Sequence, residues 1–109
     1  VIAGVTDEDM VLAGNRVIEN GGGLAIALAG KVLADLPLPI GGLMADEPVE
    51  VVDEKLEHMK KLSVELGISE DIDAFMTLAF ISLPVIPKLR LNTYGVVDVE
   101  KHQVVEARF

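Results

Sequence analysis

The pattern of apolar and polar positions predicts a strand, a helix and a stop in the first 23 residues. Val1–Val5 is an apolar run typical of a short strand. Thr6, with Asp9 three residues later, resembles a capping box, and apolar residues then recur at helical spacing. The triple glycine Gly21–Gly23 predicts the end of this helix, because glycine readily adopts the left-handed cap conformation. We therefore predict a helix over about residues 7–20.

The following segment predicts two strands joined by a tight turn. Leu24–Leu28 and Lys31–Leu36 are separated by Ala29-Gly30, a spacing typical of a two-residue hairpin. The first strand has no polar residue, so we expect it to be central and covered on both faces. The second carries two charged residues and is expected nearer an edge. Prolines then end regular pairing, because proline lacks a backbone donor.

A second helix is predicted over residues 47–66. Asp46-Glu47-Pro48 is a typical helix start, apolar positions then recur every three or four residues, and Gly67 ends the pattern. The buried face is expected to hold Leu56 and Met59. The opposite face is expected to expose three polar residues, His58, Lys60 and Lys61.

The C-terminal third gives a weaker pattern. Phe75–Leu83 is apolar on all sides, which fits equally a short helix capped by Ser69 and a buried strand. From Lys88 onward we expect irregular chain and a turn at 92–95. Two candidate strands follow, Val96–Val99 and Gln103–Phe109.

These elements predict one α/β domain (mixed α+β) over residues 1–109, with the 7–20 and 47–66 helices packed on a small mixed β-sheet. A chain of 109 residues can bury one modest core, which must be aliphatic because only 4% of the residues are aromatic. The net charge of −9 argues against nucleic acid or an anionic membrane surface as a partner. The sequence has no cysteine, so disulfides and thiolate metal sites are excluded.

No targeting or membrane-spanning pattern is evident. The longest apolar stretch, Phe75–Pro87, is interrupted by proline and is shorter than the about 20 residues that cross a bilayer. The N-terminus lacks the basic start of an export signal. We therefore expect a cytoplasmic protein. Because the first residue is Val1 and not methionine, we also expect this end to be a cut or an internal boundary.

Each candidate for chemistry has a simpler structural interpretation. His58 and His102 are expected at the surface, and neither belongs to a metal-binding spacing such as HxH or HExxH. Asp7–Asp9 fits helix capping better than cation binding, and Glu70–Asp73 lacks the glycine and distal glutamate of a calcium loop. The two glycine runs do not match a phosphate-binding loop. The residues therefore predict no catalytic and no metal-binding residue in this chain.

Three long, low-degeneracy stretches distinguish the sequence. They are Thr6–Met10 with Asn15-Arg16 and the triple glycine; Gly30–Met44, which contains LPLPIGGLM, with Asp46–Pro48; and Phe75–Pro87, which reads FMTLAFISLPVIP. In order and spacing these stretches resemble the C-terminal region of bacterial and archaeal adenine deaminases. The resemblance covers nearly the whole chain, from about Gly4 to the end.

The resemblance implies a parent enzyme of the amidohydrolase superfamily, which hydrolyses adenine to hypoxanthine and ammonia in purine metabolism. In that superfamily a (β/α)8 barrel binds divalent metal, here expected to be of the Mn or Fe type, and the metal activates a water molecule. The barrel and its HxH motif are absent from this sequence. The resemblance therefore implies a C-terminal domain that is inactive alone, and no catalytic or metal residue of the family maps onto it.

Substrate-binding residues remain unknown at this level. Met44, Phe75 and Thr77 are candidate contacts with adenine because they lie in the distinctive stretches, and ordinary packing is the alternative. The two apolar stretches suggest surfaces docked on the missing catalytic barrel. We expect an exposed patch around Leu38, Ile40, Leu43 and Met44. Two alternatives stay open: a non-catalytic assembly module that forms a homo-oligomer through its apolar loops, and a barrel carried on a separate chain.

Overall fold

The computed structural model describes residues 1–107 and contains three helices and five strands within that range. In chain order these are α1 (Asp7–Glu19), β1 (Gly23–Leu28), β2 (Lys31–Pro37), α2 (Val49–Glu65), α3 (Ala74–Ser82), β3 (Leu89–Asn92), β4 (Gly95–Asp98) and β5 (Gln103–Val105). The predicted mixed α and β class is confirmed. The chain divides into two compact units, one of residues 2–74 and one formed from Phe75 onward together with Val1.

The strands form two separate antiparallel sheets, and not the single mixed sheet that we predicted. β1 and β2 make a hairpin in which Leu28 lies opposite Lys31, and β3, β4 and β5 make a three-stranded sheet in that order. The prediction that β1 is central and covered on both faces is wrong, because each strand of a two-stranded sheet is an edge. Its apolar composition instead reflects packing against α1, and Ile26 is its buried residue.

Helix α1 confirms the predicted helix and both of its end signals. The Thr6 hydroxyl accepts a hydrogen bond from the Asp9 amide at 3.3 Å. At the other end the Gly21 amide donates to Ile18 and the Gly22 amide to Val17, at 3.0 and 2.9 Å, which is the Schellman pattern. The strand predicted at Val1–Val5 is wrong, since this segment pairs with no strand of the described chain.

Helix α2 starts directly after Pro48, within two residues of the predicted start. It ends at Glu65, next to the predicted end at Leu66, and the predicted stop residue Gly67 has a φ of 104° and donates its amide hydrogen to the Val64 carbonyl at 2.9 Å. The predicted buried face is confirmed at Met59, whereas Leu56 is only half-buried. The residues expected on the solvent face, His58, Lys60 and Lys61, are all exposed.

The ambiguous apolar segment is a helix, α3, and so the alternative of a buried strand is wrong. Ser69 does not cap it: the Ser69 hydroxyl accepts from the Asp71 amide at 3.4 Å in a turn, and α3 begins only at Ala74. Strand β3 lies in the segment predicted to be irregular, because its partner β4 lies beyond the turn at Asn92–Gly95. The predicted last strand is confirmed over Gln103–Val105, the prediction is wrong for residues 106–107, and residues 108–109 lie outside the described residues.

The core of the described chain is small and aliphatic, as expected from the composition. Four apolar side chains are buried among residues 1–107: Ile26, Leu36, Met59 and Val99. Leu36 and Met59, each 1% exposed, anchor the unit of residues 2–74, in which α2 packs against β2. In the other unit the Val99 amide donates to the Lys88 carbonyl at 2.9 Å. Within residues 1–107, no helix combines the length and apolar character needed to cross a membrane.

Candidate functional site

The histidines and acidic clusters noted in the sequence are not assembled into a reaction centre. His58 is exposed on α2, and His102 is exposed in the β4–β5 turn with a φ of 53°. Across residues 1–107, no three His, Asp or Glu side chains come together as a metal ion requires. This set of donors does not fit the divalent metal that the resemblance implies for the parent enzyme.

Two open depressions lie on the surface of the unit of residues 2–74. One, of about 520 Å³, follows α1 and the hairpin turn and is lined by Asp7, Glu8, Val11, Leu12, Asn15 and Gly30. The other, of about 430 Å³, follows the end of α2 and is lined by Lys60, Lys61, Val64, Glu65 and Glu70. Ligand sites for small molecules enclose most of their ligand and present a few convergent polar groups. Neither depression has that character.

The three candidate adenine contacts are placed on two different units. Met44 lies in the loop after β2 with 59% of its surface exposed. Phe75, half-buried, and Thr77, exposed, lie on α3. Their assignment to adenine therefore stays a prediction.

Asp9 does more than take part in capping α1, and sequence reasoning missed its second role. Its carboxylate accepts hydrogen bonds from the Ala29 amide at 3.2 Å and from the Gly30 amide at 3.0 Å. Both turn residues have positive φ, 51° and 76°, as a type I′ hairpin requires. Alanine is disfavoured in this conformation, so the carboxylate stabilises a turn that the sequence makes poorly. The sequence carried one signal of this second role: position 9 is an aspartate, where a capping box prefers glutamate or glutamine.

The Asp9 carboxylate should make the hairpin sensitive to acid. The hydrogen bond from the Gly30 amide, followed by those from Ala29 and Thr6, lowers the pKa of Asp9 below its ordinary 3.8. A lowered folded-state pKa contributes stability that is complete above the unfolded value and is lost as the pH falls through the folded value. We expect Asp9→Asn to unfold at lower denaturant than wild type at pH 7, with the gap closing below pH 3.8.

Denaturant titrations between pH 7 and pH 2 measure this gap. Asp7→Asn is the matched control, because it removes the same charge from the same first turn of α1. A gap for Asp9→Asn that equals the gap for Asp7→Asn at every pH would show that the turn contacts contribute nothing.

A polar cluster ties the other end of α1 to β2. The Asn20 amide group donates to Asp35 Oδ2 at 2.8 Å, and Arg16 Nε lies 3.8 Å from the same oxygen. Arg16 also pairs with Glu19 at 3.5 Å. These side chains lie on α1, at its C-terminal cap and on β2, so the cluster supports the packing of α1 on the hairpin.

The apolar stretches expose several large apolar side chains. In the loop after β2, Leu43 is 82% exposed, Met44 59% and Ile40 46%, whereas Leu38 is half-buried. The predicted exposure is thus confirmed for three of the four residues. On and after α3, three further apolar side chains are more than half exposed: Met76, Phe80 and Val85. Contiguous apolar patches mark interaction sites in natural proteins, and Ile40, Leu43 and Met44 are neighbours in one short loop.

Comparison with known proteins gives a consistent result over nearly the whole chain. The family described as the adenine deaminase C-terminal domain matches residues 1–103. Adenine deaminase 2 of Carboxydothermus hydrogenoformans is 50% identical over 105 residues, which are 96% of this chain and 18% of that protein. The adenine deaminase of Kosmotoga olearia is 53% identical over 104 residues, and that of Brucella abortus 45% over 104. In both cases these residues are 95% of this chain and 18% of the relative.

The chain thus spans about a fifth of the length of the curated relatives that it matches. The matched segment runs through both units, including the β1–β2 hairpin, the apolar loop and α3. The chain therefore belongs to the adenine deaminase C-terminal domain family.

Proposed function

We propose that this chain is the C-terminal domain of an adenine deaminase. The parent polypeptide is then a hydrolase that converts adenine to hypoxanthine and ammonia. One observation carries the proposal: relatives with that name match 95–96% of this chain at 45–53% identity, while the match covers only 18% of each. Because the relatives match nearly the whole chain, we also propose that all 109 residues form a single domain of the parent. We place the parent in the cytoplasm, to which the cysteine-free composition lends support.

The reaction is assigned to the part of the parent that precedes this domain. A divalent metal of the Mn or Fe type, held in the barrel, would supply the activated water. The comparisons support this division of labour, because the match covers only 18% of each relative and most of such a polypeptide lies outside these 109 residues. The role left for this domain is to complete and stabilise the structure of the enzyme.

The purified 109-residue chain is expected neither to deaminate adenine nor to bind stoichiometric metal. Ammonia release from adenine and elemental analysis of the same sample measure the two properties. The full-length parent, assayed in parallel, is the positive control and should turn over adenine. Turnover by a metal-analysed sample free of the barrel would contradict the proposal.

A second candidate function is a non-catalytic assembly module that forms a homo-oligomer. The exposed side chains of the apolar loop and of α3 favour some partner surface, and a second copy is one such surface. Sedimentation of the isolated chain at several concentrations tests this alternative. Two results together would favour the assembly module over the enzyme domain: a stable dimer of the isolated chain, and no adenine deaminase activity in the parent.

A further inference from the structure

The loop that follows β2, residues 38–44, is closed by backbone hydrogen bonds of its own. The Leu43 amide donates to the Ile40 carbonyl at 3.2 Å, across a turn formed by Gly41 and Gly42 with φ values of 65° and 73°. Ile40 and Met44 then exchange two backbone hydrogen bonds, both of 3.2 Å. We call this segment the 38–44 loop. Its geometry is that of a miniature hairpin whose tip is made by two glycines.

The 38–44 loop is also held against the junction of α1 and β1. The Leu38 amide donates to the Gly22 carbonyl at 3.0 Å. A Cβ atom on Gly22 would lie only 2.6 Å from the Gly42 Cα atom, so the two backbones are in direct contact. A rearrangement of the loop would break this hydrogen bond and this contact with the residues that end α1. The loop therefore has a defined conformation in the chain without a partner.

This hydrogen-bonded loop presents apolar side chains to solvent. Leu43, next to the two glycines, is 82% exposed, and Met44 and Ile40 are 59% and 46% exposed. A binding element that is already ordered loses little conformational entropy on association, so its contacts contribute more to affinity. An ordered loop with an apolar tip is suited to docking on another surface.

The charge and the size of the patch argue against a second copy as the occupant. Each copy carries a net charge of −9, and the loop runs directly into the exposed Asp46 and Glu47, so two copies would repel. Three side chains also fall short of the about 800 Å² per partner that a stable independent interface buries.

A partner in the same polypeptide meets neither difficulty. Covalent linkage gives an effective concentration in the millimolar range, so a small patch is sufficient for docking. The relatives are more than five times as long as the matched segment, because that segment is 18% of their length. Most of such a polypeptide lies outside this chain and is available as the docking partner.

We propose that the 38–44 loop docks, through Leu43, Met44 and Ile40, on the catalytic portion of the same polypeptide. The inference rests on the proposed function, since it takes the missing portion of the parent as the partner.

A photo-cross-linking residue at position 43 of the full-length polypeptide tests the docking directly. We expect Leu43→p-benzoylphenylalanine to cross-link within one polypeptide, giving a product of monomer mass on a denaturing gel and a peptide partner outside these 109 residues. Cross-links only to a second polypeptide, or no cross-link at all, would overturn the inference. Adenine turnover by the unsubstituted polypeptide is measured in parallel: its absence would defeat the proposed function and leave the cross-linking result standing.

Hydrogen exchange in the cross-linked segment provides the second measurement. Leu43→Asp is expected to speed exchange there about tenfold, the factor that 1.4 kcal/mol of lost contact represents. Ile18→Asp is the matched control, because Ile18 has the same side-chain composition as leucine and is 77% exposed on α1 of the same unit. It should leave that exchange unchanged. Equal effects of the two substitutions would show that the 38–44 loop makes no special contact.

Discussion

Replacing Gly23 with alanine is expected to destabilise the folded chain by about 3–5 kcal/mol. Gly23 opens β1 with a φ of 136°, a conformation that residues with a side chain rarely adopt. A Cβ atom there would overlap the Leu36 carbonyl oxygen and come within 3.1 Å of the Leu38 amide nitrogen. Both are backbone atoms of the paired strand and its extension, so neither can rotate away as a side chain would.

Gly30→Ala provides the control for this substitution. Gly30 lies in the hairpin turn with a φ of 76°, and nothing stands within 4 Å of an added Cβ atom. Its expected cost is only the about 1–2 kcal/mol of the left-handed conformation. Urea unfolding followed by circular dichroism measures both variants. Equal losses in the free energy of unfolding would mean that the Leu36 backbone moves away from the added Cβ atom at little cost.

Replacing Met59 with alanine is expected to cost about 2–5 kcal/mol, the usual range for deleting a large core side chain. Met59 is 1% exposed and is one of four buried apolar side chains among residues 1–107, so few neighbours can move to fill the cavity. A domain of this size has only about 5–15 kcal/mol in total. We therefore expect the isolated Met59→Ala chain to lose a large part of its stability and to unfold at a clearly lower temperature than the wild-type chain.

His58→Ala tests the orientation of α2 at the neighbouring position. His58 is exposed, and removing its side chain should change the free energy of unfolding by less than about 0.5 kcal/mol. The Leu56→Ala variant should lie between the two, because Leu56 is half-buried. Thermal unfolding of the three variants under one set of conditions orders them. A loss of stability for His58→Ala as large as that for Met59→Ala would show that the buried face of α2 is assigned to the wrong side of the helix.

The small core and the exposed apolar surface have a common explanation. Most apolar side chains of the 38–44 loop and of α3 are not used to fill the core of the described chain. In a domain that docks on a larger body, the same side chains are covered by that body and need no internal partner. The proposed docking of the loop therefore also accounts for the modest core.

The sequence by itself determined the features that depend on near neighbours in the chain. The Thr6 cap, the glycine stops after α1 and α2, and the two-residue hairpin turn at 29–30 all follow from local hydrogen bonding and allowed φ values. The long stretches LPLPIGGLM and FMTLAFISLPVIP likewise identified the family, since strings of that length seldom arise by chance.

Only the tertiary structure decided which distant segments meet. The division of the strands into two sheets, and the edge position of β1, depend on pairings that no local pattern encodes. The role of Asp9 at the hairpin turn joins residues 20 and 21 positions apart, and the contact between Gly22 and Gly42 joins two glycine runs that the sequence shows only as breaks. Local propensity is set by a residue and its neighbours, whereas such contacts form only once the packed elements bring the backbones together.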